Sequence, residues 1–226
     1  MRALLSILFC LLASTALCAQ TATKRPASKQ IWPPDSKPQY FPVGLFSQSP
    51  QLSEWRARWY ASELRNLEEP SLLKDKIDRG AVTFRFLLIP SFSPSLAIRL
   101  VVNPDGTGRL VAKMGTKGES AIEAAPKQAT VPVSANQVRK FLNMLQEAHF
   151  WSLQSAKSDS VGGADGEEWL LEGKQNDKYQ VVDRWHGWIE ASYARACDYL
   201  QELSPLKVDL QRRQRPTSKQ PDTTPN

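Results

Sequence analysis

Carboxylates gather beside glycines in one short stretch of this chain. Gly162-Gly163-Ala164-Asp165-Gly166-Glu167-Glu168-Trp169-Leu170-Leu171-Glu172 is followed closely by Tyr179-Gln180-Val181-Val182-Asp183-Arg184-Trp185. Two chemistries suit such a set. Several carboxylates around a Gly-rich loop supply the hard oxygen ligands of a cation such as calcium, although the spacing of a calcium hand is absent here. Two carboxylates flanking a glycosidic bond act as general acid and base, which makes Asp165, Glu167 and Glu168 the candidates for a hydrolase. The structural alternative is a charged hairpin in which Glu168 pairs with Arg184, a contact worth roughly a few tenths of a kcal/mol where exposed. On balance Asp165, Glu168, Trp169, Glu172, Arg184 and Trp185 are read as a binding set, and no residue is assigned a catalytic role.

Other reactive side chains are sparse. His149 and His186 are the only histidines, and neither lies in a His-Glu-x-x-His helix that would hold zinc. His149 follows a helix of core spacing, where a partly buried role or a contact with the helix C-terminus is expected. Cys197 falls mid-helix on the apolar side, where thiols are inert. Gly115-Thr116-Lys117-Gly118 lacks the Gly-Lys-Ser/Thr ending of a phosphate loop, and neither a dinucleotide fingerprint nor a Gly-x-Ser-x-Gly elbow occurs. No cofactor and no metal are expected. Seven tryptophans are a large number for 226 residues. Most are expected in the core, and two left exposed together would mark an interaction surface.

The amino-terminal residues point to export. Arg2 is followed by an apolar run from Ala3 to Leu12 and then by small residues, which is a signal-peptide pattern over 1–19 and too short for a membrane span. Leu17 precedes Cys18 where lipid attachment needs a small residue, which argues against a lipoprotein anchor. The protein is therefore expected in the periplasm or secreted. Charge is concentrated at the ends: residues 20–40 and 211–226 each carry four basic residues and one acid, while 41–210 carries 20 basic and 21 acidic residues. Basic, Pro-rich tails stay solvated. Export also removes nucleic acid from the expected partners.

Between these ends the elements can be read from periodicity. Residues 20–50 hold six prolines and are expected as an extended lead-in, with Trp32, Tyr40 and Phe41 available to dock on the core. Ser53 is the expected cap of a helix running to Pro70, with Trp55, Trp59 and Leu67 inward and Arg56, Glu63 and Glu68 outward. A second short helix is expected from Ser71 to Gly80. Val82, Phe84 and Phe86 then alternate as a strand. Residues 96–102 and 108–112 flank the turn Asn103-Pro104-Asp105-Gly106 and predict a hairpin. A loop with one irregular strand is expected over 114–130. Ser134 and Gln137 form a capping box ahead of Val138, Phe141, Leu142 and Leu145. Residues 168–173 and 178–185 predict a second hairpin, and segregating polar from apolar side chains favours a three-residue loop that sets Leu171 opposite Val181 and Glu168 opposite Arg184. A last helix is expected over about 188–203, ended by Pro205.

Together these predict an α+β fold, an antiparallel sheet built from hairpins with helices packed on one face. A single domain is expected over 51–204, followed by a basic disordered tail over 205–226.

The residues Gly163, Asp165, Gly166, Trp169 and Glu172, followed by Tyr179, Val181, Arg184 and Trp185, resemble a group of uncharacterised exported bacterial proteins. The similarity covers roughly 160–203, with a looser match at Phe150-Trp151. Members of that group carry His after the Tyr and Ser-Pro after the Arg-Trp, whereas this chain has Gln180 and His186-Gly187. The resemblance implies bacterial export and a shared structural motif, and it implies no reaction. The expected function is thus binding to an envelope protein or a glycan, with the hydrolase as the alternative.

Overall fold

The first strand after Gly80 is the key to the architecture, because it is buried on both sides. Strand β1 (Val82–Pro90) places Phe84, Phe86 and Leu88 on one face and Arg85, Leu87 and Ile89 on the other, and all six are buried. A strand of that kind belongs in the middle of a sheet covered twice. The computed structural model describes residues 39–74, 81–116, 125–157, 166–186 and 189–209. Six strands form one sheet in the order β4-β3-β2-β1-β5-β6, with every neighbouring pair antiparallel. The others are β2 (Leu96–Val102), β3 (Gly108–Met114), β4 (Lys127–Val133), β5 (Glu167–Gln175) and β6 (Lys178–Trp185).

Helices α2 (Ala135–Glu147) and α3 (Ala191–Leu203) cover one face. Phe141 and Leu145 of α2 and Tyr193, Cys197 and Leu200 of α3 pack into a core with Phe84, Phe86, Leu100, Leu171 and Val182. This is the expected α+β arrangement. Helix α1 (Pro50–Asn66) covers the opposite face, where Tyr60, Ala61 and Leu64 meet Leu87, Ile89, Ala97, Leu170 and Val181. Tyr40, Phe41 and Phe46 join this second core, so the lead-in docks beside α1. Trp32, the export signal, Cys18 and the tail beyond Asp209 lie outside the described residues, as do residues 75–80 of the expected short helix.

The local signals behave as their chemistry requires. In the β2–β3 turn Gly106 takes φ +84°, and its N–H donates to the Asn103 carbonyl at 3.0 Å. The capping box is formed: Gln137 N–H donates to Ser134 Oγ at 3.4 Å, and Ser134 N–H donates to Gln137 Oε1 at 2.9 Å. Helix α1 begins earlier than expected, capped by Ser49 with Pro50 in its first turn. Ser53 is instead buried inside the helix, and its Oγ accepts from Phe46 N–H at 3.0 Å. The side of α1 facing the sheet also differs. Trp55 is 43% exposed, while Arg56 turns inward to Asp183 and Glu63 accepts from Ser95 Oγ.

The register of the second hairpin is corrected as well. Glu168 faces Trp185, Leu171 faces Val182 and Gln175 faces Lys178, so the loop is the two residues Asn176-Asp177, with Asn176 at φ +51°. A three-residue loop is the choice that separates polar from apolar side chains. That criterion assumes one wet face, and here both faces of β5 and β6 are covered. Among the described residues, no helix is long and apolar enough to cross a membrane.

Candidate functional site

Alternation along β5 and β6 divides the anticipated binding set between the two faces of the sheet. Trp169 and Arg184 point to the α2/α3 side, whereas Glu168, Glu172 and Trp185 point to the α1 side. The set therefore does not converge, and Asp165 lies outside the described residues. The expected Glu168–Arg184 pair is absent because the two side chains occupy opposite faces.

On the α2/α3 side both residues are structural. The Trp169 ring meets Phe86 edge-on at 5.3 Å, and its indole N–H donates to Glu167 Oε2 at 2.9 Å. Arg184 Nε donates to Glu190 Oε2 at 2.8 Å, and its other nitrogens reach the carbonyls of Asp183 and Gln154 at 2.7 and 3.1 Å. Burial works against ionisation of Glu190, but the bonds from Arg184 and Lys157 outweigh it and hold the carboxyl at about 2. This cluster ties the 154–157 segment and the start of α3 to β6.

On the α1 side Glu172 belongs to a buried ion network absent from the sequence reading. Arg85 Nε donates to Glu172 Oε2 at 2.7 Å, and Tyr179 OH donates to Oε1 at 2.7 Å. Arg99 Nε donates to Glu69 Oε2 at 2.9 Å, and Lys113 Nζ lies 3.6 Å from Glu69 Oε1. Burial pushes the Glu172 carboxyl upward, while Arg85 and Tyr179 pull it back. The available signal was Arg85 itself, a charge in the otherwise apolar run Phe84-Arg85-Phe86-Leu87-Leu88-Ile89. Such a position needs a buried partner, but the run does not say which residue supplies it.

Two carboxylates remain near the open end of the same face. Asp183 accepts from Arg56 Nη1 and Tyr60 OH, both at 2.9 Å. Burial raises its carboxyl despite Arg56. Glu168 sits on the same face, on β5 opposite Trp185. Burial, reinforced by the charge of Asp183 and opposed by Arg56, raises it to about 7. A half-buried acid of that strength can exchange a proton near neutrality.

An open cavity lies elsewhere among the described residues. About 430 Å³ in volume, it sits where the end of α2 and the turn Phe150–Ser152 meet the start of β1 and the end of β5. Phe84, Leu145, Phe150 and Trp151 form its apolar lining, and Gln146, His149, Ser152 and Gln175 supply its polar groups. No carboxylate is among its lining residues. Leu142 stands at the cavity 37% exposed. Lys178 Nζ lies 4.6 Å from the centre of the Trp151 ring. His149 is exposed and takes φ +50°, closing α2 in the left-handed conformation. It lines the cavity at the end of α2; of the two roles expected, it is exposed rather than partly buried and sits at the helix C-terminus. The sequence reading missed this site, because its members come from three separate stretches of the chain.

Cys197 is fully buried, and burial pushes its thiol well above the ordinary range. Trp55 and Trp59 of α1 lie 5.4 Å apart, the first exposed and the second half-buried. Among the described residues, no group of three His, Cys, Asp or Glu side chains is placed to hold a metal ion. No protein-family model matches the chain, and no curated protein matches it.

Proposed function

We propose that this chain is an exported protein of the bacterial envelope, periplasmic or secreted, that acts by binding, and that the cavity beside the end of α2 receives part of its partner. The partner is another envelope protein or a glycan. One observation carries this reading: the cavity offers open apolar surface with polar groups around it, and no carboxylate lines it. Its volume and mixed lining are those of a recognition site. The signal-like pattern of Arg2 and Ala3–Leu12, together with the motif from Gly163 to Trp185, supports export.

The hydrolase alternative draws on Asp165, Glu167 and Glu168. Glu167 is held by the Trp169 indole, and neither it nor Glu168 lines the cavity. A crosslinking pull-down from the native envelope, with a parallel sedimentation assay against cell-wall glycan, tests the binding reading. The mature chain is expected to recover a discrete partner or to sediment, and Leu142→Arg to lose that behaviour while Trp55→Ala keeps it. Equal recovery by wild type and Leu142→Arg, or no recovery in either assay, overturns the cavity as the binding site.

A further inference from the structure

The cavity beside the end of α2 has a lining without carboxylate, ammonium or guanidinium: none of its residues is Asp, Glu, Lys or Arg. A charged group entering it would give up water without meeting an opposite charge, so the lining selects a neutral ligand. Its polar groups are two amides, one imidazole and one hydroxyl, which together offer both donors and acceptors. Gln146 brings one amide from α2 and Gln175 the other from the end of β5, and both residues are exposed.

These groups stand on fixed walls. Gln180 Nε2 donates to the carbonyls of Phe150 and Leu153 at 3.2 and 2.6 Å, and Ser152 N–H donates to the His149 carbonyl at 2.9 Å. The turn that carries Phe150 and Trp151 is therefore tied both to β6 and to the end of α2. The rings of Phe84, Phe150 and Trp151 pack with centres 5.2 to 6.2 Å apart. Lys178, opposite Gln175 on the neighbouring strand, braces Trp151 with Nζ 4.6 Å from the ring centre and does not line the cavity. A ligand thus meets a preformed site, which lowers the ordering cost of binding. The strands that contribute to it, β1 and β5, are interior to the sheet and paired on both sides, so a peptide cannot add there as a further strand.

We propose that the cavity binds a neutral acetamido sugar unit of an envelope glycan, with the acetyl methyl against Leu142 and Leu145 and the amide and hydroxyls on Gln146 and Gln175. A sugar ring has an apolar C–H face and a hydroxyl edge, and this lining sets aromatic carbon beside neutral amides in the same way. The aliphatic part of the lining asks for more than hydroxyls. An acetamido group supplies a methyl for it and an amide that both donates and accepts. The inference rests on the reading of the cavity as the binding site, and it narrows the partner from protein or glycan to one class of sugar.

Titration calorimetry of the mature chain with tri-N-acetylchitotriose tests this directly. Cellotriose, which lacks the acetamido groups, and the deacetylated trimer, which carries ammonium groups instead, are the comparison ligands. The acetylated trimer is expected to bind with a Kd of about 1 mM or below, cellotriose about tenfold more weakly, and the deacetylated trimer not at all. Gln146→Ala and Gln175→Ala are each expected to weaken binding by about three- to tenfold. Their thermal unfolding should match the wild type, because both side chains are exposed. Absence of binding at about 10 mM, equal binding of all three trimers, or binding untouched by both glutamine variants overturns the proposal. If the acetylated trimer fails to bind while Leu142→Arg still loses an envelope partner, the sugar is wrong and the cavity remains the binding site for a protein. If both responses are missing, the cavity reading falls with it.

Discussion

Arg85 and Glu172 lie directly opposite each other on β1 and β5, both without solvent exposure, joined by Nε–Oε2 and Nη2–Oε2 contacts of 2.7 and 2.5 Å. Arg85 also faces Arg99 across β1–β2, and Glu69 lies between them with Oε2 at 3.7 Å from Arg85 Nη1 and 2.9 Å from Arg99 Nε. Two neighbouring guanidinium groups are tolerable there only because two carboxylates separate and neutralise them. Removing one partner strands a charge away from water. Glu172→Ala is therefore expected to cost about 3–5 kcal/mol, read from the midpoint of urea unfolding. Replacing Arg85 and Glu172 together by Met and Leu should recover most of that loss. A Glu172→Ala change under about 1 kcal/mol would show that the network contributes little.

The stability of the whole protein should also carry the signature of Glu168. Its folded carboxyl is raised to about 7 from an ordinary 4.5, so between those values the native state holds more protons than the unfolded chain. Stability from this group is greatest below pH 4.5, falls as the pH rises toward 7 and is level above it. Glu168→Gln is expected to be more stable than wild type at pH 8 by about 1–3 kcal/mol, and the difference should shrink toward pH 5. Chemical unfolding at a series of pH values measures it. A wild-type minus variant difference independent of pH would contradict the assignment.

These two features show which parts of the molecule were legible in the sequence. The Asn103–Gly106 turn and the Ser134–Gln137 capping box depend on residues within a few positions of each other, and each forms as its chemistry demands. The strand Val82–Pro90 was legible as alternation but not as a doubly covered strand, since Arg85 disguises it. The hairpin register failed because the choice assumed polar side chains must face water. Glu172 and Asp183 face inward instead, to Arg85 and Arg56, which lie 87 and 127 positions away. Tryptophan size misdirected the reading of α1, where Tyr60 and Leu64 fill the interface and Trp55 stays outside. Pairings over such distances leave no periodicity in either partner.

A tight steric contact offers a third test. Gly173 of β5 lies beneath the aromatic cluster that borders the cavity, and a Cβ there would come within 2.7 Å of the Phe150 ring and 3.1 Å of Phe84 and Trp151. The three rings also contact one another, with centres 5.2 to 6.2 Å apart, so one cannot move without disturbing the next. Gly173→Ala is expected to destabilise by about 1–3 kcal/mol and to change the fluorescence of Trp151. A variant of unchanged stability would mean that the cluster repacks freely.

Cys197 gives the simplest check of the α3 packing. It is fully buried between α3 and the sheet, and Tyr193, one turn earlier, donates its hydroxyl to the carbonyl of Val182 at 3.0 Å. Burial keeps the thiol well above its ordinary range, so the nucleophilic thiolate is scarce as well as shielded. A thiol reagent should therefore modify Cys197 of the native protein only through opening of α3, at a rate that rises steeply near the unfolding transition. Leu200→Ala, which opens space in the same core at a cost of about 2–5 kcal/mol, should accelerate labelling without any change in the thiol itself. Rapid labelling of Cys197 in the wild type under fully native conditions would show that α3 is not seated on the sheet in solution as it is in this structure.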